Sequence, residues 1–375
     1  MKVIVLGGGL VGTPMARDLA SDFEVTVADI NQQSLEKLEG KGITTIRKDL
    51  SDPDEVRRLV AGYDFVVSAV PGFMGFKTLK AVIEAGKNVV DIAFFSEDAL
   101  QLDSLAREKG VVAITDCGVA PGMSNLLFGY AYSLLDETHS ATAACGGLPE
   151  KRFWPYEYKA VFSPVDVIEE YVRPARFKQN GLIVVKEALS DAELVDVSGV
   201  GTLEAFNTDG LRSLLTTLDI PNMREQTLRY PGYIEKMKML RHTGFFSQEE
   251  IEVRGVKVKP LDVTSKLLFP LWRLEEGDAD MTVMKVTVEG KKNGKMMRYS
   301  WDMLDRYDPK TRVHSMARTT GYTATAALRL VVKGLYKKKG LTVPEYIGRQ
   351  KECVDFILEE LRKRNVIWNG KVEEI

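Results

Sequence analysis

Three cysteines, three histidines and no apolar run of eighteen residues are what this 375-residue chain has little of. Cys117, Cys145 and Cys353 stand far apart, with no C-x-x-C and no cysteine–histidine cluster. That spacing excludes a disulfide scaffold, argues against a metal site and points to a reducing compartment. The absence of a long apolar run leaves no membrane-spanning helix, and a strand starting at Lys2 leaves no room for a signal peptide, so a cytoplasmic protein is expected. Fifty-one lysines and arginines against 53 acids give a net charge of −2, which offers nucleic acid no electrostatic footing. The short KKK at 337–339 beside Gly340 reads as a solvated helix end. His139, His242 and His314 show no metal-ligand spacing, and only His242, near RYPGY, invites a test. Proton transfer is therefore expected from another group or from solvent.

What the chain does have is apolar content, 45%, with 28% charged residues, the profile of a globular protein of two domains. Over residues 1–120, short apolar runs at 2–6, 24–29, 43–48, 65–70, 89–92 and 111–115 alternate with helical stretches. One of these, DPDEVRRLV, carries Asp52 as N-cap, Pro53 at the first position and Glu55 behind it. Nearly all-apolar strands separated by helices predict an α/β fold, a doubly wound parallel sheet of Rossmann type. From residue 121 to 311 the rhythm changes. Asn180-Gly181 and Asn293-Gly294 stand between apolar runs, the strongest short hairpin signal. They predict an inserted α+β domain with a largely antiparallel sheet, and helices over 312–375 that return to the first domain.

The motif Gly7-Gly8-Gly9-Leu10-Val11-Gly12 fits G-x-G-x-x-G between a strand and a helix, and Asp29 ends the second strand. Together these form a dinucleotide-binding fingerprint: pyrophosphate at the helix N-terminus, ribose hydroxyls on the acid. Ile30, Asn31 and Gln32 follow Asp29 with no arginine, so NAD is expected over NADP. Asp49 and Leu50 are placed to edge the adenine, with plain loop residues as the alternative. Ala69, Val70 and Pro71, in SAVPGFMG after the fourth strand, face the nicotinamide side. Cys117 falls on the same side, as an inert buried thiol.

The second domain sets arginine beside aromatics in EEYVRPARF and QTLRYPGY. Arg173, Arg176 and Arg229 are each candidates to fork a substrate carboxylate, with an internal salt bridge as the alternative for any one of them. Phe162 and Tyr230 are candidates to cover an aliphatic chain, with core packing as the alternative.

VSGVGTLEAFNTDGLRSLLTTL, QTLRYPGYIEKMKMLRHTGFF and ARTTGYTATAALRL with the later PEYIG make the chain resemble the saccharopine dehydrogenase/reductase family, most closely its lysine 6-dehydrogenase branch. The resemblance spans nearly the whole length. It implies an inserted catalytic domain that forms a homodimer or higher oligomer, and NAD(P)-linked oxidation at a C–N bond of an amino acid. It also implies Thr227 and Arg229 as substrate holders, with Phe162 and Glu170 lining the same pocket and Glu170 as a proton acceptor. Gly72 and Gly75 stand where saccharopine reductases carry an aromatic residue and a histidine, and Ala120 where they carry an acid. These departures imply a smaller, more aliphatic substrate, free lysine. The alternatives left standing are a saccharopine or carboxynorspermidine-type dehydrogenase, for which Arg173 and Arg176 would serve a second carboxylate, and a non-catalytic NAD-binding regulator.

Overall fold

The computed structural model describes all residues except 41, 161–163 and 276. The first sheet is wholly parallel and contains β1 (Lys2–Leu6), β2 (Glu24–Asp29), β3 (Thr44–Arg47), β4 (Phe65–Ser68), β5 (Asn88–Asp91) and β6 (Val112–Ile114). Their order, β6-β5-β4-β1-β2-β3, is the doubly wound one. The strands are connected by α1 (Gly12–Leu19), α2 (Gln32–Glu36), α3 (Pro53–Val60), α4 (Gly72–Glu84) and α5 (Asp103–Glu108). Alternation explains the continuous apolar runs. Val3 and Val5 pack with Met15 of α1 on one face, while Ile4 and Leu6 pack with Val56 and Val82 on the other. Both faces are covered, so every position of the strand must be apolar.

The chain then leaves through α6 (Met123–Leu134) into a second, nine-stranded sheet. Its members are β7 (Glu137–Pro149), β8 (Ala175–Gln179), β9 (Leu182–Lys186), β10 (Glu193–Val197), β11 (Gly201–Asn207) and β12 (Asn222–Arg229), joined farther along by β15, β16 and β18. Pairing is antiparallel except that β12 runs parallel to β7. The helices α7 (Pro164–Val172), α8 (Leu214–Thr217), α9 (Tyr233–Thr243) and α10 (Pro260–Trp272) flank it, with the separate hairpin of β13 (Ile251–Val253) and β14 (Val256–Val258). Long β15 (Asp280–Lys292) and β16 (Lys295–Arg306) complete the centre. Asn180-Gly181 turns β8 into β9, and Asn293-Gly294 turns β15 into β16, all four residues at left-handed φ between +51° and +80°.

Helix α11 (Ser315–Val332) brings the chain back against α1. Thr325 Oγ1 donates to Asp18 Oδ2 at 2.6 Å, and Arg329 grips Asp18 and Asp22. The tail is not helical alone. After α11, β17 (Gly340–Thr342) adds a seventh parallel strand beside β6, followed by α12 (Pro344–Gly348) and α13 (Lys351–Lys363). The final strand β18 (Asn369–Glu374) crosses to the second sheet and pairs with β16. Three residues in one strand and a polar NGKVEE in the other carry no readable apolar period, which is why neither strand is foreseen. No described helix is long and apolar enough to cross a membrane.

Candidate active site

A cleft of about 670 Å³ opens where the two sheets face each other. One half is backbone. Gly7, Gly9, Leu10, Val11 and Gly12 line it between β1 and α1, with Ala69, Val70 and Pro71 after β4. Two glycines there are demanded by the protein itself. Gly7 holds φ at +100°, where a Cβ would lie 2.6 Å from the Ala69 carbonyl, and a Cβ on Gly12 would lie 1.9 Å from the Gly7 carbonyl oxygen. Gly9 differs. A Cβ there would meet no atom within 4 Å. It would project into open space, so the bare backbone at Gly9 serves something that approaches from the cleft. Asp29 Oδ2 accepts from the Gly8 amide at 2.6 Å and Oδ1 from the Asn31 amide at 2.7 Å, which locks the carboxylate at the cleft wall. Asp49 and Leu50 line the same end. A strand-end acid, an open glycine backbone and a helix N-terminus together fit a dinucleotide. No arginine follows Asp29 in the chain, yet the fold carries Lys48 to this wall, ion-paired with Glu55.

The other half is carboxylate and guanidinium. Strand β12 alternates, so Glu225, Thr227 and Arg229 all face the cleft. Arg229 is 3% exposed. Its Nη2 donates to Glu170 Oε2 at 2.9 Å and its Nη1 to the Leu228 carbonyl at 3.0 Å, and its guanidinium lies 4.6 Å from the Tyr158 ring centre. Burial raises the Glu170 carboxyl and the Arg229 charge pulls it back. Burial is the larger effect, so the Glu170 carboxyl stays above its ordinary value while it neutralises Arg229. Glu225 Oε2 instead accepts from Thr208 Oγ1, whose oxygen sits 3.0 Å from Thr227 Oγ1. Burial pushes Glu225 up to about 7, with Glu170 and Asp209 adding to the rise and the Thr208 hydroxyl and Gly210 amide opposing it.

The remaining candidates divide. Arg173 lines the cleft, its guanidinium 5.5 Å from the Phe94 ring centre and its Nη2 3.4 Å from Glu169. Arg176 does not line it; its fork is closed on Asp209 by two 2.8 Å bonds. Tyr230 is a correction. It points out of the cleft, its hydroxyl donating to the Pro149 carbonyl at 2.9 Å and its ring covered by Arg152. One step along β12 from Arg229 reverses the face. Phe162 lies outside the described residues. His242 is exposed on α9, and Cys117 is a buried thiol pushed up by desolvation.

The two glycines of VPGFMGF are required by packing. A Cβ on Gly72 would meet the Phe94 carbonyl oxygen at 2.2 Å, and one on Gly75 would meet Ala93 Cβ at 2.6 Å. Close packing of α4 against the segment after β5 requires them. Glu225, Thr208, Asp209, Asp166 and Tyr158 are cleft residues that the sequence reading missed. The period-two pattern E-x-T-x-R of β12 was the available signal for Glu225.

The saccharopine dehydrogenase NADP binding domain model matches residues 3–114, and the saccharopine dehydrogenase C-terminal domain model matches 118–367. The NADP(+), L-glutamate-forming saccharopine dehydrogenase of Pyricularia oryzae is 27% identical over 312 residues, 78% of this chain and 69% of that one. The carboxyaminopropylagmatine dehydrogenase of a Synechocystis species is 23% identical, covering 91% of both chains. The chain also matches longer α-aminoadipic semialdehyde synthases, spanning 27% to 30% of their length. Among solved structures, apo saccharopine dehydrogenase (L-Glu forming) from Saccharomyces cerevisiae superposes with a TM-score of 0.81 at 20% identity, over 99% of each chain. With a glycine-lined wall fit for a dinucleotide on one side and an acid-rich wall on the other, the chain belongs to the saccharopine dehydrogenase family of nicotinamide-dependent oxidoreductases.

Proposed function

We propose that the protein oxidises the ε-amine of L-lysine with NAD and water, giving 2-aminoadipate 6-semialdehyde, ammonium and NADH. The observation that carries this reading is charge. The substrate half is lined by Asp166, Glu169, Glu170, Asp209 and Glu225 against Arg173 and Arg229, five acids to two bases. Such a surface favours a ligand with more ammonium than carboxylate. Lysine brings two ammonium groups to one carboxylate, whereas saccharopine brings three carboxylates to two amines.

Arg229 holds the α-carboxylate. Its guanidinium lines the cleft, and the bonds to Glu170 and the Leu228 carbonyl use two of its five N–H donors. Glu170 keeps that guanidinium compensated while the site is empty. Thr227 adds a hydroxyl beside the anchor. Hydride leaves the ε-carbon only when the nitrogen lone pair is free, so the ammonium must first lose a proton to a group of the cleft wall. A dinucleotide with its pyrophosphate at Gly9 and its nicotinamide beside Pro71 would supply the hydride acceptor when bound. Asp29 supports NAD: a carboxylate at this wall repels a 2′-phosphate, and the Lys48 charge beside it is matched by Glu55. The relative from Pyricularia oryzae is named for NADP(+), so both cofactors belong in the test.

A second reading follows from the same charge surplus: a secondary-amine dehydrogenase for a cationic polyamine-like chain, as the name of the Synechocystis relative suggests. The test is reduced-cofactor formation with lysine, ornithine, saccharopine, diamines and a carboxyalkylated guanidino-amine, each with NAD and with NADP. Lysine with NAD should be preferred. Turnover confined to saccharopine would reject the reading.

A further inference from the structure

Glu225 is the buried carboxylate of the cleft that no arginine or lysine answers among the contacts described. It sits on β12 with 7% exposure, two residues before Thr227 and four before Arg229. Its side chain lies so close over the turn after β11 that a Cβ on Gly210 would fall 2.4 Å from Oε2. A side chain at 210 would have to displace the Glu225 carboxylate. The Gly210 amide and the Thr208 hydroxyl therefore set where the carboxylate points.

The hydrogen bonds have a direction. Thr208 Oγ1 donates its single proton to Glu225 Oε2, so across the 3.0 Å contact between Thr208 and Thr227 it is Thr227 that donates. That leaves the Thr227 oxygen with lone pairs free to accept from an N–H in the cleft. The three groups form a line, hydroxyl to hydroxyl to carboxylate, with its open end on the substrate side. Glu170, the carboxylate the family resemblance implies, differs in that Arg229 holds its Oε2 at 2.9 Å, whereas no cation among the contacts described holds Glu225.

We propose that Glu225 is the proton acceptor of the cleft and that Thr227 and Thr208 relay the proton to it from the substrate ammonium. This rests on the reading of the substrate as a cationic amine. In the step, one ammonium N–H bond breaks and its electron pair stays on nitrogen. The proton joins Thr227 Oγ1, the Thr227 proton passes to Thr208, and the Thr208 proton passes to Glu225, ending as a neutral carboxylic acid. Both hydroxyls are restored, and Glu225 later returns its proton to water. The groups facing Glu225 are Thr208, Asp209 and Gly210 from the turn, Glu170 from α7, Cys145 from β7, and Thr227 and Arg229 on its own strand. Burial, aided by Glu170 and Asp209, brings its ionisation to about 7, near the working pH that suits a general base.

The experiment compares kcat/KM for lysine against pH in the wild type, Glu225→Gln, Thr208→Val and Thr208→Ser, with cofactor binding followed by fluorescence. Glu225→Gln should lose about 10²- to 10⁴-fold in kcat/KM and lose the acid-side fall of the wild-type profile, while it binds cofactor unchanged. Thr208→Val should lower kcat with little change in KM, and Thr208→Ser should restore it. An unaltered pH profile in Glu225→Gln, with lysine turned over by the wild type, overturns the relay alone, and full activity in Thr208→Val does the same. A wild type that oxidises saccharopine but no cationic amine overturns the substrate reading beneath it. Should Glu225→Gln fail to bind cofactor, the Thr208 pair decides, because neither variant removes a charge.

Discussion

Arg229 and Glu170 meet at 2.9 Å across the deep end of the cleft, the arginine side chain 3% exposed and the glutamate 19%. A pair so withdrawn from water is strongly unfavourable to break from one side. Arg229→Ala should cost about 3–5 kcal/mol in denaturant unfolding, because Glu170 keeps a buried charge without its partner. The pair variant Arg229→Met with Glu170→Leu should recover much of that stability and still fail to bind lysine. Equal loss in both would mean that the arginine acts through packing alone.

Gly9 and Gly12 separate ligand from fold. A methyl at Gly12 would sit 1.9 Å from the Gly7 carbonyl oxygen, so Gly12→Ala should destabilise the first domain by several kcal/mol, on the scale of overpacking. A methyl at Gly9 meets nothing, so Gly9→Ala should change thermal stability by less than about 0.5 kcal/mol, as surface substitutions do. It should nonetheless weaken dinucleotide binding at least tenfold by fluorescence titration.

Asp91 ends β5, wholly buried, and desolvation pushes its carboxyl up to about 7, with Asp116 adding to the rise and Ser68, Ala93 and Arg212 opposing it. The folded chain then holds a proton that the unfolded chain has lost at any pH between about 4 and 7. Stability must fall as pH rises through that window and level off above it. Asp91→Asn should therefore be more stable than the wild type at pH 8, by a margin on the order of 2–4 kcal/mol, and the margin should vanish near pH 4. Urea unfolding across the range reads this directly; a margin independent of pH would contradict it.

Asp29 anchors the Gly8 and Asn31 amides at the cleft wall. Asp29→Ser should raise KM for NAD about tenfold or more and narrow the preference over NADP. Lys48→Ala should lower whatever NADP use exists. An Asp29→Ser enzyme with an unchanged ratio of kcat/KM for the two cofactors would show that the acid does not select between them.

The first domain is legible from residue 2 because its physics is local. Buried parallel strands must be apolar at every position, and VIVL followed by three glycines states both the strand and the turn. Asp29 and the Asn-Gly hairpins are equally local signals. The active-site wall is not local. Thr208, in the turn after β11, and Glu225, on β12, meet only through the pairing of β11 with β12. Tyr230 sits beside Arg229 in the segment but on the other face, because strand alternation takes 225, 227 and 229 together and turns 230 away. The close packing that requires Gly72 and Gly75 comes from the segment of Ala93, Phe94 and Phe95, some twenty residues away in the chain.

The central claim is that a cationic amine loses its terminal nitrogen in this cleft. Lysine labelled with ¹⁵N at the ε-position, incubated with NAD and the wild-type protein, tests it most directly. The account predicts one labelled ammonium for each NADH formed, with the α-nitrogen retained. Labelled nitrogen that stays in the organic product, or NADH formed from saccharopine with none from lysine, would contradict it.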